Sequence, residues 1–283
     1  VLALFTKPAT AASLFSFGTD FSHPGAGAAN PCASNTKCDI ALNRVAVGNQ
    51  NLDVGQLLRV TDAALVSNYT GGASLDKGDW AAGTSQYLQQ EADEVLKPQF
   101  NTSSDELGIV ETLGNHQQPI FNLNNMINTE DSGQGNSSAE DGVFTVDLLF
   151  GSGASFDTLL FWERGQDSDL RLKPIYEVAG NQATSVGQEI AISAIEWDDA
   201  GYSTDTAESN GAEAVGSKGV YFGSLIQGVR VMTSKELAAA DFKVAAAKTG
   251  KRTVPEPGTV AGIALSGALM VASRRRQVKK EGK

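Results

Sequence analysis

His23 and His116 are the two imidazoles in 283 residues, and neither sits beside a second pair of metal-ligating side chains. A histidine-based proton-transfer mechanism therefore has little to draw on, and a zinc site lacks nitrogen ligands. "GSGAS" at 151–155 and "GSKG" at 216–219 read as turns, because a nucleophile elbow needs Gly-x-Ser-x-Gly between a strand and a helix. Carboxylates are abundant. Asp167, Asp169, Glu196, Asp198 and Asp199 could supply a glycosidase pair, yet among so many glycines each reads first as a solvated turn residue. There is no P-loop and no Gly-x-Gly-x-x-Gly fingerprint. No catalytic residue is assigned, and the reading is that the chain is not an enzyme; a hydrolase using a carboxylate pair ranks a distant third.

Two binding chemistries need closer attention. "NTEDSGQGNSSAED" opens like an EF-hand loop, but position 1 is Asn128 and position 12 is Ala139, where a bidentate Glu is required. It fails as an EF-hand. Glu130, Asp131, Glu140 and Asp141 could still cluster their oxygens around Ca2+, the one cofactor left open against a flexible acidic loop. Trp80, Trp162 and Trp197 could stack on sugar rings. Core packing is favoured for Trp162, whereas Trp197 stays open between core packing and a glycan contact at a loop rim. Arg164, in "FWERGQDSDL", is expected to pair with Asp167 or Asp169 across the turn, with the Trp162 ring against its stem.

Short apolar or alternating runs must position these groups. "SLFSFGTDF", "DIALNRVAVG", "QLLRVTDAALVSNY" and "ELGIVETLG" read as strands, as do "GVFTVDLLF", "FDTLLFWERG", "SDLRLKPIYEV", "EIAISAIEW", "GVYFGSLIQGVRVMT" and "DFKVAAA". Gly, Asp, Asn and Ser punctuate them, and "NYTGGASLDKGDWAAG" reads as a loop. Ser85–Leu96 has a helical apolar face and ends before Pro98. The expected fold is mostly β: an antiparallel β-sandwich, with a jelly roll as one form of it, plus one short soluble helix.

The ends differ in kind from the middle. Val1–Phe5 is apolar and Ala9–Ala12 is small, so residues 1–12 read as the remnant of a secretory signal peptide. At the other end stand Val254, Pro255, Glu256 and Pro257, then an uncharged run at 260–273, then Arg274, Arg275 and Arg276. The run spans roughly 21 Å as a helix, short for a ~30 Å hydrocarbon core, but the one-sided arginines hold that end in the cytoplasm. Between the ends, residues 13–248 form the expected extracellular domain and 249–253 a linker. From 13 to 257 the chain carries 15 basic and 32 acidic residues, a surface that repels nucleic acid. Cys32 and Cys38, in a Pro/Asn/Ser-rich stretch, read as a disulfide in an exported chain, with free thiols the alternative.

Val254–Pro257, the apolar run and the arginine cluster together resemble the PEP-CTERM sorting signal. That resemblance implies a membrane protease-transpeptidase, the exosortase, as partner, with transient anchoring in the inner membrane followed by surface display or release. "KCDIALNRVAVG", "NYTGGASLDKGDWA", "FNLNNMINTEDSG", "LLFWERGQDSDLRL", "DAGYSTDTAESNGAEAVGSKGV" and "DFKVAA" are likewise similar to exosortase-dependent surface proteins known mainly from cyanobacteria. The chain departs from them at "LRLKPIYEV", where the family favours a plainer apolar strand. The resemblance implies a non-enzymatic surface or extracellular-matrix protein, with a secreted carbohydrate-binding module touching extracellular polysaccharide as the alternative.

Overall fold

The computed structural model describes residues 12–23, 40–67, 76–79, 109–110, 113–114, 120–128, 145–151, 153–204, 212–232 and 241–250. Val1–Thr249 forms one compact unit and Gly250–Lys283 another; the fold below is that of the first. Its described elements are mostly β, and every strand pairing is antiparallel.

The first strands are β1 (Ser13–Phe15), β2 (Gly18–Ser22), β3 (Ala41–Val47), β4 (Gln50–Asp53), β5 (Val60–Ser67) and β6 (Asp76–Asp79). Next come β7 (Met126–Asn128), β8 (Thr145–Phe150), β9 (Phe156–Arg164), β10 (Leu170–Ala179) and β11 (Gln182–Val186). The last are β12 (Ile190–Ile192), β13 (Asp198–Thr204), β14 (Glu213–Ile226), β15 (Gly228–Met232) and β16 (Phe242–Ala247). They make a seven-stranded sheet in the order β1-β14-β9-β16-β7-β6, with β13 also on β14. A six-stranded sheet runs β11-β10-β15-β8-β5, with β12 on β10, and a third has the order β2-β3-β4.

Strand β9 explains why the sheets stack as they do. Successive side chains of a strand point to opposite faces, and all nine residues of "FDTLLFWER" are buried, so both faces of β9 must be covered. Leu159 and Phe161 enter the larger core with Leu148, Leu172, Val229 and Val231 of the six-stranded sheet. Leu160 and Trp162 enter a smaller core with Val45, Leu52 and Phe17 from the three-stranded sheet and its approach. The seven-stranded sheet is thus the middle of three layers, where the sequence suggested two. Alternation marked the buried faces, but β9 carries the unbroken apolar stretch Leu-Leu-Phe-Trp at 159–162, which two-sided burial favours.

Several segments differ from their sequence reading for identifiable reasons. "SLFSFGTDF" is split, β1 joining the seven-stranded sheet and β2 the small one. "GVYFGSLIQGVRVMT" breaks at Gln227 into strands of different sheets. "NYTGGASLDKGDWAAG", expected to be loop, contains β6, paired with β7. "ELGIVETLG" is not a strand: Ile109, Val110, Leu113 and Gly114 are helical. Ile109, Val110 and Leu113 are buried in the larger core, a spacing that shares one helical face. Pro174, inside "LRLKPIYEV", lies in a strand with neighbours on both sides. Strand β12 pairs with β10 through Leu172 and β11 from Ile175 onward, so Pro174 falls in the gap, where a missing N–H costs little. The segment read as a helix, Ser85–Leu96, lies outside the described residues. Among the described residues no helix is long and apolar enough to cross a membrane, and residues 260–273 are outside them.

Candidate functional site

Buried polar side chains flank the turn that follows β9, which is itself only partly buried. Gly165 and Gln166 have φ of 96° and 60°, a left-handed pair that redirects the chain; a β-carbon on Gly165 would also meet Asp167 Oδ1 at 2.6 Å. The turn is tied down from several sides. Gln166 N–H donates to Glu163 Oε2 at 2.7 Å, and Gln166 Nε2 donates to the Val215 carbonyl at 3.2 Å. Arg164 N–H donates to the carbonyl of Asp241, and Gly165 N–H to that of Ala214. Trp197 Nε1 donates to the Ser168 carbonyl at 2.8 Å, and Ala194 N–H to Asp169 Oδ1 at 2.7 Å.

Arg164 is buried and does pair with carboxylates, but not with Asp167 or Asp169. Its partners are buried Asp241 and half-exposed Glu213, the latter at 3.4 Å. The sheet decides this. Strand β9 lies between β14 and β16, with Val215 opposite Arg164 and Phe242 opposite Glu163. Asp241 and Glu213 therefore flank the guanidinium, while Asp169 is spent on Ala194. The Trp162 ring is also elsewhere, edge-on to Phe17 at 5.3 Å and tilted against Phe121, with Nε1 donating to Thr19 Oγ1 at 2.9 Å.

Glu163 has no exposed surface. Burial pushes its carboxyl up to about 8. The Ser168 hydroxyl and the Gln166 N–H partly offset that, nearby Asp167 adds to it, and Arg164 opposes it. Burial thus favours the protonated form of this acid at neutral pH. Across the sheet, Lys243 is fully buried with Nζ 4.6 Å from the Phe121 ring centroid, and the Arg59 guanidinium lies over the same ring at 5.5 Å. Burial, and then the Arg59 charge, hold the Lys243 ammonium well below its ordinary value.

The acidic residues that could have formed a glycosidase pair are engaged in turns and ion pairs. Glu196 accepts from the Ser193 N–H and hydroxyl, Asp199 accepts from Gly201 N–H, and Asp198 pairs with Lys218 at 2.9 Å. "GSGAS" is a turn, with Gly151 and Gly153 at φ of 72° and 71° and Ala154 N–H donating to the Gly151 carbonyl. Trp197 is 8% exposed within the larger core, so the structure favours its core reading over the glycan contact.

A cleft of about 490 Å³ opens at one end of the six-stranded sheet. Thr61 and Asp62 of β5, the β8–β9 glycine turn, the Gly180-Asn181 hairpin turn and Gln227 between β14 and β15 line it, over Leu149 and Val178. Gly180 has φ of 64°, the left-handed geometry a two-residue hairpin turn takes at its first position. Gly151 N–H donates to Thr61 Oγ1 at 2.7 Å, and that hydroxyl donates to the Leu149 carbonyl, fixing the glycine turn against β5. The sequence marked these glycines as turns; nothing local showed that they share one rim.

Glu130, Asp131, Glu140, Asp141, Cys32, Cys38, Trp80 and Val254–Pro257 with Arg274–Arg276 all lie outside the described residues. Among the described residues no group of three or more His, Cys, Asp or Glu side chains is placed to hold a metal ion. Compared with known proteins, the chain matches no protein-family model, no curated protein and no solved structure.

Proposed function

We propose that this chain is an exported, non-enzymatic cell-surface or extracellular-matrix protein of the PEP-CTERM kind, processed by an exosortase. The observation that carries the reading is the order of its parts. A compact β unit closes at Thr249, and Val254–Pro257, an uncharged run and three arginines follow in sequence. In this reading the β unit is a sandwich, jelly-roll-like in that the chain crosses between sheets from β8 to β9 to β10 and from β14 to β15 to β16. Residues 260–273 form the membrane helix, Arg274, Arg275 and Arg276 hold its end in the cytoplasm, and Cys32 and Cys38 are bonded after export. The non-enzymatic part is supported by Asp169, Glu196, Asp198 and Asp199, whose carboxylates accept from turn N–H groups or pair with Lys218.

Replacing Pro255, Glu256 and Pro257 with alanine should leave a full-length form in the membrane fraction. Cleavage and release of that variant at the parent's rate would overturn the sorting reading. Intact mass of the exported protein, measured without reductant, reads the Cys32–Cys38 bond at the same time.

A further inference from the structure

The loop-end cleft has unspent hydrogen-bonding capacity. Among the described residues, the carboxamides of Asn181 and Gln227 have no side-chain hydrogen bond, and Asp62 uses one carboxylate oxygen, on the Ala63 N–H. These three side chains come from separate parts of the chain, a strand and two turns, and converge on one concavity. Each carboxamide offers both a donor and an acceptor, and the free carboxylate oxygen accepts from a hydroxyl. The left-handed glycines leave the rim without side chains; a β-carbon at Gly153 or Gly180 would meet nothing within 4 Å.

We infer that this cleft binds a neutral saccharide of about one or two rings, held through its hydroxyls by Asp62, Asn181 and Gln227. The volume suits a ligand of that size. Leu149 and Val178 supply an apolar floor for the C–H face of a ring. No cation lines the cleft among the described residues, so an acidic sugar would meet Asp62 without a counter-charge. A divalent cation would find one carboxylate where it needs several oxygens. The inference stands apart from how the tail is processed.

The test is saturation-transfer NMR and calorimetry on the full chain against a panel of neutral mono- and disaccharides, with tetragalacturonate as the acidic probe. At least one neutral sugar should bind saturably and better than tetragalacturonate. The Asn181→Ala/Gln227→Ala double variant should bind it about tenfold more weakly, or worse. Asp62→Asn, which keeps the shape, should also weaken it, and Ile195→Ala, at an exposed residue outside the cleft, should not. Melting temperatures report folding, with Asp62→Asn deciding if the double variant is destabilised. Absence of saturable neutral-sugar binding, preference for tetragalacturonate, or parent-like affinity in the cleft variants would each overturn the inference.

Discussion

The two cores of the β unit are built differently. The larger, between the six- and seven-stranded sheets, is filled with Leu, Val, Ile and Phe, including the edge-on pair Phe150 and Phe156. The smaller, beneath the three-stranded sheet, mixes apolar side chains with buried polar groups. Asn122 accepts from the N–H groups of Ile40 and Asn124, Thr204 donates to Asn124, and Trp162 donates to Thr19. Lys243 and Arg59 lie over Phe121, and the Tyr202 hydroxyl is buried with no hydrogen-bond partner among the described residues. Hydrophobic burial is non-directional and tolerates repacking, whereas hydrogen bonds in a low-dielectric interior fix orientation and penalise a lost partner. The larger core should supply most of the stability, and the smaller should dictate where the third layer docks.

The neighbours Phe161 and Trp162, on opposite faces of β9, give the largest expected effects. Phe161→Ala and Trp162→Ala should each cost about 3–5 kcal/mol in denaturant unfolding. The comparison predicts that Trp162→Ala selectively deprotects β3 amides in hydrogen exchange while Phe161→Ala loosens the six-stranded sheet. Equal deprotection of both sheets by each variant would erase the distinction between the cores.

Asp241→Ala should cost about 3 kcal/mol, because it removes a buried carboxylate from beside a buried guanidinium. Pairing it with Arg164→Met should recover most of that loss. A double variant no more stable than Asp241→Ala would mean that the pair's worth is not the cost of an uncompensated charge.

Two of the buried ionisable groups, Glu163 and Lys243, should tilt stability with pH in opposite senses. Glu163 is raised from 4.5 to about 8, so the folded state holds the proton more tightly than the unfolded chain. Its contribution is full below about pH 4.5 and is lost as pH rises through about 8. Glu163→Gln should therefore flatten the fall between those values. Lys243 is lowered, so folding expels its proton, and this contribution is present above 10.5 and lost as pH falls through the lowered value. Lys243→Met should then raise stability at neutral pH and remove the rising limb. Matched pH profiles for the parent and both variants, from chemical denaturation, separate the slopes; parallel profiles would refute the assignment.

The smallest effect belongs to one hydrogen bond. Thr19→Val leaves the Trp162 N–H without its acceptor and should cost about 1–2 kcal/mol. A larger loss than Trp162→Phe would show that the strand, and not the ring, holds the third layer.

The mostly β class and most strands were legible in the sequence because alternation reports which face of a strand is apolar, as in "GVFTVDLLF". The helical conformation of Ile109, Val110, Leu113 and Gly114 was not, since so short an apolar run fits either period. The order of the tail, Val254–Pro257, an uncharged run and three arginines, is a property of the linear string alone and lies outside the described residues. Pairing needs more than pattern. Asp241 stands 77 residues from Arg164, and only the order β14-β9-β16 brings it closer than Asp167 and Asp169, which looked nearest along the chain.

By itself, then, the sequence determined periodicity, the glycine turns, the acidic balance and the order of residues in the tail, none of which needs segments far apart to meet. Tertiary structure decided the third layer, the burial of Trp197, the partners of Arg164 and the meeting of Asp62, Asn181 and Gln227 at one cleft. The reason is physical: a strand's own residues specify that a face must be covered, but which sheet covers it depends on contacts between segments far apart in sequence. That choice is made only when the layers close.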